Sequence, residues 1–391
     1  MAHDSVRFDD TQTAFAGKSD EDLKKARWLF RLMGNPVIAD VGGHIAKVAL
    51  RIGLPVTSLV KQTIYSQFCG GESLSETRGT IGRLSKQQVS TILDYGVEAK
   101  ESQDEFDRNL AEQLRAIEFA DAHAAVPYVS CKVTGYGSVA LLQRIQESRE
   151  LSKSDAAARD RMIVRLDQIC EAASRLDVAL YVDAEESWIQ GAIDTVVERQ
   201  MRRWNTEKPT VFTTVQLYRH DRLAYLRRAH REAESGGYFL GVKLVRGAYM
   251  DKERERADRL GYPSPIHANK ASVDRDYDEA LTFCLRNIDR VAFCAATHNE
   301  DSCALLVRSA RACDVALTHR HIHFAQLLGM SDHISYNLSK AGFNVSKYVP
   351  YGPVRDVVPY LIRRAEENRS IAGQMGRELR LIEDELRRRG S

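Results

Sequence analysis

No CxxC pair occurs in the sequence, and its seven cysteines, at positions 69, 131, 170, 284, 294, 303 and 313, are an odd number set partly in apolar runs. That pattern argues against a disulfide scaffold and predicts thiols acting as small hydrophobes in a reducing compartment. Charge of one sign is also lacking: 56 Lys and Arg stand against 54 Asp and Glu, a net +2. No unbalanced field exists to hold nucleic acid by counterion release, so nucleic acid is not an expected partner. Low-complexity tracts and charge blocks are missing, while 43% of residues are apolar and 28% charged, so the whole chain is expected to fold. The first fifteen residues have no continuous apolar stretch and carry Asp4, Asp9 and Asp10. Neither a signal peptide nor a transit peptide fits that start, and the expected location is the cytoplasm. Long apolar runs are absent as well. The nearest approach to a membrane span, Val37 to Val60, is interrupted by Asp40, His44, Lys47 and Arg51 at the spacing of an amphipathic helix.

What is present is length and alternation. A chain of 391 residues can bury one large α/β barrel with additions, or two ordinary domains. Residues 1–86 read as a helical arm broken by Gly34-Asn35-Pro36, Gly53, Pro55 and Gly70-Gly71. Beyond it, short β-branched runs alternate with charged stretches of helical period. Strands are predicted at Ser90 to Tyr95, Tyr128 to Val133, Ala179 to Val182, Thr210 to Val215, Phe239 to Val245, Val291 to Ala296, His321 to Ala325 and Val345 to Val349. Helices are predicted between them, among them Ala156 to Arg175, Tyr277 to Ile288 and Val354 to Glu367. Eight βα repeats fit a closed (βα)8 TIM barrel over 87–375, with 376–391 as a C-terminal helical tail. A doubly wound open sheet is the rival, because Gly135-Tyr-Gly-Ser-Val-Ala140 matches a dinucleotide fingerprint. The acidic residue that fingerprint needs at the next strand end is missing, since Asp155 lies in a polar connection ahead of a helix.

In a barrel, chemistry collects at the C-terminal strand ends. Those ends carry Asp94, Lys132, Asp183 with Glu185 and Glu186, Gln216, Lys243 with Arg246, Thr297-His298-Asn299, Gln326 and Tyr348. Three cations around one rim suit a carboxylate or phosphate ligand. Lys243 interrupts an apolar run, where an unpaired ammonium is costly, so it needs a partner. Further on, Tyr360, Arg363, Arg364 and Glu367 share one helical face, able either to clamp a carboxylate beneath an aromatic cover or to stand as an exposed basic face. His319, His321 and His323 alternate along a strand, and with His298 and Asp183 they outline the rival reading of a metal-dependent barrel hydrolase. His319 and His321 fall toward the strand's N-terminal side, and nearby cations disfavour a divalent ion, so no metal is expected.

Together, Val182-Asp-Ala-Glu-Glu186, Lys243-Leu-Val-Arg-Gly-Ala-Tyr249, Thr297-His-Asn299, Leu327-Leu-Gly-Met330 and the Tyr348 to Arg364 pattern resemble the FAD-dependent proline dehydrogenase family, in its order and spacing from about Lys132 to Glu367. The resemblance implies a distorted (βα)8 barrel whose last helix lies over the strand ends. It implies that Lys132, Arg363 and Arg364 hold the carboxylate of L-proline and that Tyr249, Leu327, Tyr348 and Tyr360 enclose its ring. It assigns Ala184, Gln216, Arg246, Gly247, Ala248, Thr297, His298, Asn299 and Glu367 to FAD, with Asp183 and Lys243 as the catalytic pair. The order Lys243 then Arg246 is that of mitochondrial-type monofunctional members, whereas the bifunctional bacterial branch has Arg then Lys. No second domain follows Glu367, so the expected product is Δ1-pyrroline-5-carboxylate, passed to a separate dehydrogenase. Hydroxyproline oxidases of the family carry a smaller Ser where Tyr348 stands, so Tyr348 favours proline. The family's electron acceptor is a membrane quinone. The Val37 to Arg51 segment is either a peripheral contact with the inner membrane or ordinary packing against the barrel.

Overall fold

Short β-branched runs flanked by turns and long amphipathic helices assemble into the expected alternation. The computed structural model describes residues 6–33, 61–96, 101–357, 361 and 374–391. The amphipathic segment Val37 to Arg51 lies outside the described residues. Eight strands form: β1 Ser90–Tyr95, β2 Tyr128–Lys132, β3 Ala179–Asp183, β4 Val211–Gln216, β5 Leu240–Val245, β6 Val291–Ala296, β7 Ile322–Leu327 and β8 Val345–Tyr351. They follow one another in chain order and close into a barrel. Every predicted strand is present, with ends within two residues of expectation. The small extensions matter, because β3 takes in Asp183 and β4 takes in Gln216, so both backbones belong to the strands.

Helix starts are set by side chains that satisfy the first free amides. Ser152 accepts from Asp155 N at 3.1 Å and Asn269 from Ser272 N at 2.9 Å. These caps move two helix starts upstream of the periodicity, to Lys153–Arg175 and Lys270–Arg286. The helices Val139–Gln146, Met250–Leu260 and Asp332–Lys340 were not predicted. Met250–Leu260 reads MDKERERADRL, which offers too few apolar residues for a stripe to be legible. The dinucleotide-like segment runs into a short helix: Ser138 within it caps Val139–Gln146, and Asp155 pairs with Arg144 at 2.9 Å.

Two compact units divide the chain, residues 99–324 and residues 1–98 with 325–391. In the first, β2 to β6 pair in parallel register, with Lys132 opposite Asp183 and Thr214 opposite Lys243. In the second, β8 pairs with β1, Tyr348 opposite Ile92. The arm and the C-terminal helix Gln374–Arg388 share one apolar cluster there, built from Ala14, Phe15, Leu23, Ala26, Phe30, Leu381, Ile382 and Leu386. A second cluster packs Tyr65, Phe68, Cys69, Met330, Val354, Val357 and Leu361, with Leu327 partly buried against it. All seven cysteines are free, six of them buried.

Candidate active site

The parallel register of β2, β3 and β5 aims three long polar side chains at one point in the unit 99–324. Asp183 ends β3 and accepts from Lys132 Nζ at 3.3 Å through Oδ2, while its Oδ1 binds Lys243 Nζ. Lys243 is the partner-seeking ammonium of the apolar run, and its side chain is only 6% exposed against 32% for Lys132. One carboxylate therefore serves two cations, one sealed and one open to solvent. Below them, Lys243 Nζ lies 5.5 Å from the centre of the Tyr181 ring. Tyr181 stacks on Tyr128 at 4.9 Å and meets Phe212 edge-on at 5.0 Å. Tyr128 OH reaches His323 Nδ1 at 3.3 Å. Burial pushes His323 down to about 3, so it is neutral at physiological pH. This aromatic floor keeps water from beneath the ion pairs, where charge interactions are stronger than in bulk.

Arg246, just after β5, is held from three sides. Its Nε donates to Asp274 at 2.8 Å, Nη1 to Thr297 Oγ1 at 2.6 Å and Nη2 to Ser302 Oγ at 3.0 Å, and its plane lies 4.4 Å from the Tyr277 ring centre. Ser302 in turn donates to Asp278 at 2.5 Å. Gly247 sits at φ +143, and a Cβ there would come within 2.4 Å of the Tyr218 ring, so only glycine passes. Ala248 and Tyr249 follow, half-buried, ahead of the helix Met250–Leu260. Thr297 and half-buried His298 leave β6. Asn299 caps the helix Glu300–Ala312, its Oδ1 accepting from Ser302 N at 2.9 Å.

Glu185 is a residue whose part the sequence did not reveal. Its carboxylate accepts from Thr134 Oγ1 at 2.6 Å and Thr134 N at 3.1 Å, tying the turn after β2 to the turn after β3. Burial raises its pKa to about 7, against the bonds from Thr134 and the charge of Lys132, which favour ionisation. Gln216 donates to the Glu185 carbonyl at 2.8 Å, and half of its amide is thus committed to this turn. Ala184 is buried between Asp183 and Glu185. The only advance signal was the crowding of acidic residues after Val182.

His319 and His321 precede β7, their rings meeting edge-on at 5.2 Å. His321 Nδ1 lies 2.7 Å from Ile288 O, and only His323 stands in the strand. Among the described residues no group of three or more His, Cys, Asp or Glu could hold a metal ion. In the other unit, Tyr348 lies within β8 and is buried, its carbonyl accepting from Leu328 N at 2.9 Å. Leu327 ends β7. Tyr360, Arg363, Arg364 and Glu367 lie outside the described residues. No helix among the described residues is long and apolar enough to cross a membrane.

Known proteins are similar to this chain in sequence and in fold. A model of the proline dehydrogenase family matches residues 77–377. The carbapenem antibiotics biosynthesis protein CarD of Pectobacterium carotovorum is 35% identical over 326 residues, covering 83% of this chain and 84% of that protein. Mitochondrial proline dehydrogenase 1 of Arabidopsis thaliana is 30% identical over an alignment of 437 positions, covering 100% of this chain and 87% of the relative. Hydroxyproline dehydrogenase of Xenopus laevis is 30% identical over 412 positions, covering 96% and 88%. In fold, the crystal structure of proline utilization A from Bdellovibrio bacteriovorus aligns at a TM-score of 0.74 and 21% identity over 93% of this chain, which spans 38% of that protein. Because the family match runs through all eight strands and the turns that leave them, the chain belongs to the proline dehydrogenase family of oxidoreductases.

Proposed function

We propose that this chain oxidises L-proline to Δ1-pyrroline-5-carboxylate, the opening step of proline catabolism, with FAD as hydride acceptor and a quinone as the final electron acceptor. The observation that carries this reading is Asp183 shared between Lys132 and Lys243 at neighbouring strand ends. FAD, when bound, supplies the two-electron chemistry that no side chain can. The residues present fit it. A buried ammonium, a fixed guanidinium, a primary amide and a threonine hydroxyl, on Lys243, Arg246, Gln216 and Thr297, offer the mixed donors and acceptors that an isoalloxazine edge and a pyrophosphate require. Ala184, Gly247, Ala248, His298, Asn299 and Glu367 are assigned to the same cofactor by family resemblance.

Lys243 would stabilise negative charge arriving at the cofactor, and Asp183 would hold that ammonium in place. Lys132, the more exposed cation, would meet the proline carboxylate together with Arg363 and Arg364. Tyr249, Leu327, Tyr348 and Tyr360 would cover the ring, excluding water and ordering the reacting C–H. The product would pass to a separate dehydrogenase. The buried free thiols support a cytoplasmic setting, with peripheral contact at a membrane as the route to quinone.

The test is optical. Purified protein supplied with FAD is expected to show a flavin band that bleaches on anaerobic addition of L-proline. A protein that retains FAD and keeps its band under saturating proline would end this reading. Tyr348→Ser separates proline from hydroxyproline oxidation: the ratio of kcat/KM for proline to that for 4-hydroxyproline is expected to fall about tenfold, since a lost aromatic contact is worth roughly 1–3 kcal/mol. An unchanged ratio would remove Tyr348 from the substrate wall.

A further inference from the structure

Lys347 is a fully buried lysine inside β8, next to Tyr348 and pointing to the opposite face of the strand. Its ammonium donates to Met330 O at 2.5 Å and Leu327 O at 3.4 Å and pairs with Asp332 Oδ1 at 2.9 Å. The other carboxylate oxygen of Asp332 lies 2.7 Å from Lys18 Nζ, brought by the N-terminal arm. Glu378, from the C-terminal helix, accepts from Ser331 N at 2.8 Å. Gln67 Nε2 donates to Gly329 O at 2.9 Å, and Leu328 N donates to Tyr348 O at 2.9 Å. Every residue of the turn 327–331 is thus tied by at least one backbone atom.

That turn needs ties. Gly329 at φ +76 and Ser331 at φ +50 both sit in the left-handed region, and serine reaches it only when its surroundings enforce it. A Cβ on Gly329 would come within 2.1 Å of Gln67 O, so the turn is also pressed close on that side. A buried ammonium is an expensive tie, tolerated here because Asp332 and the two carbonyls surround it. Burial would raise Asp332, yet Lys18 and Lys347 hold it well below the usual carboxylate range. Lys18 and Glu378 both lie outside the residues matched by the family model, which run from 77 to 377.

We propose that Lys347 is a positioning residue for the substrate site, clamping the turn Leu327–Ser331 so that Leu327 and Tyr348 keep their places, with Lys18 and Glu378 recruiting the arm and the C-terminal helix to complete the clamp. This rests on the proposed reading of Leu327 and Tyr348 as substrate contacts.

The experiment compares flavin-loaded wild type and Lys347→Met in two measurements. In amide hydrogen exchange, Leu328 and Ser331 are expected to lose protection by roughly tenfold, while Leu180 in β3 is unchanged. In steady-state kinetics, the proline KM is expected to rise roughly tenfold with kcat within about threefold and flavin content retained, a split that general loss of folded protein would not produce. Unchanged exchange overturns the clamp. Faster exchange with unchanged KM overturns its role in substrate binding. Should wild type fail to bleach with proline, the proposed function falls, and exchange alone still decides whether the clamp exists. If Lys347→Met does not fold, the paired change Lys347→Met with Asp332→Asn removes both buried charges together and takes the same two measurements.

Discussion

Among the described residues one ionic motif occurs twice, a single aspartate between two lysines, and the two copies differ in what else surrounds them. At the ends of β2, β3 and β5, Asp183 joins Lys132 and Lys243. Within the other unit, Asp332 joins Lys18 and Lys347. The first keeps a solvent-open edge, with Lys132 about a third exposed. The second has a lysine that spends its donors on the carbonyls of a turn. An open charged group can meet a ligand, whereas a closed one can only hold its own chain. Exposure, rather than residue type, distinguishes the two clusters.

Three substitutions would break or sharpen that contrast. Asp332→Asn is expected to lower the unfolding free energy by about 3–5 kcal/mol in urea titrations, because buried ammoniums lose their counter-charge, with kcat changed less than about threefold. A loss under about 1 kcal/mol would erase the distinction. Asp183→Asn should differ in activity, lowering proline kcat/KM by about 10²–10³-fold in stopped-flow flavin reduction, while stability falls by a similar ~3–5 kcal/mol because sealed Lys243 loses its counter-charge. Equal losses of activity in the two variants would mean that both clusters are structural.

The smallest effect concerns proton linkage. Burial raises Glu185 to about 7 in the folded protein, above its ordinary 4.5. The folded state then keeps a proton that the unfolded chain releases, so this group's contribution to stability declines as pH rises from about 4.5 through about 7, then levels. Glu185→Gln should flatten that decline by at most about 3 kcal/mol between pH 4.5 and 7.5, read from urea midpoints at several pH values. Glu378, also raised to about 7 by burial, should give a parallel slope from the other unit. An unaltered slope in Glu185→Gln would mean that its carboxyl is already ionised below pH 5.

Much of the fold was legible because strand runs such as Val291–Ala296 are apolar on both faces and punctuated by turn residues, a pattern that burial in a parallel barrel produces directly. The strand-end rule then pointed to Lys132, Asp183 and Lys243 without knowledge of their contacts. It did not show that Asp183 is the partner Lys243 requires, 60 residues away, since pairing depends on register between β3, β4 and β5. Lys347 escaped notice for the opposite reason. In VSKYVPY a lysine beside a tyrosine reads as the wet face of a strand, and only the packing of the arm and the C-terminal helix turns that face inward.

Composition and periodicity alone determined that this chain is a folded α/β protein without a disulfide frame, that its strands are parallel and that polar residues gather at their C-terminal ends. These are properties of short stretches, which hydrophobic burial and backbone geometry dictate locally. Tertiary structure decided which charges are partners, which are sealed from water and which stay open to solvent. Those outcomes depend on distances of a few ångströms between residues far apart in the chain, and electrostatic energy changes steeply over that range when the medium changes from water to packed protein.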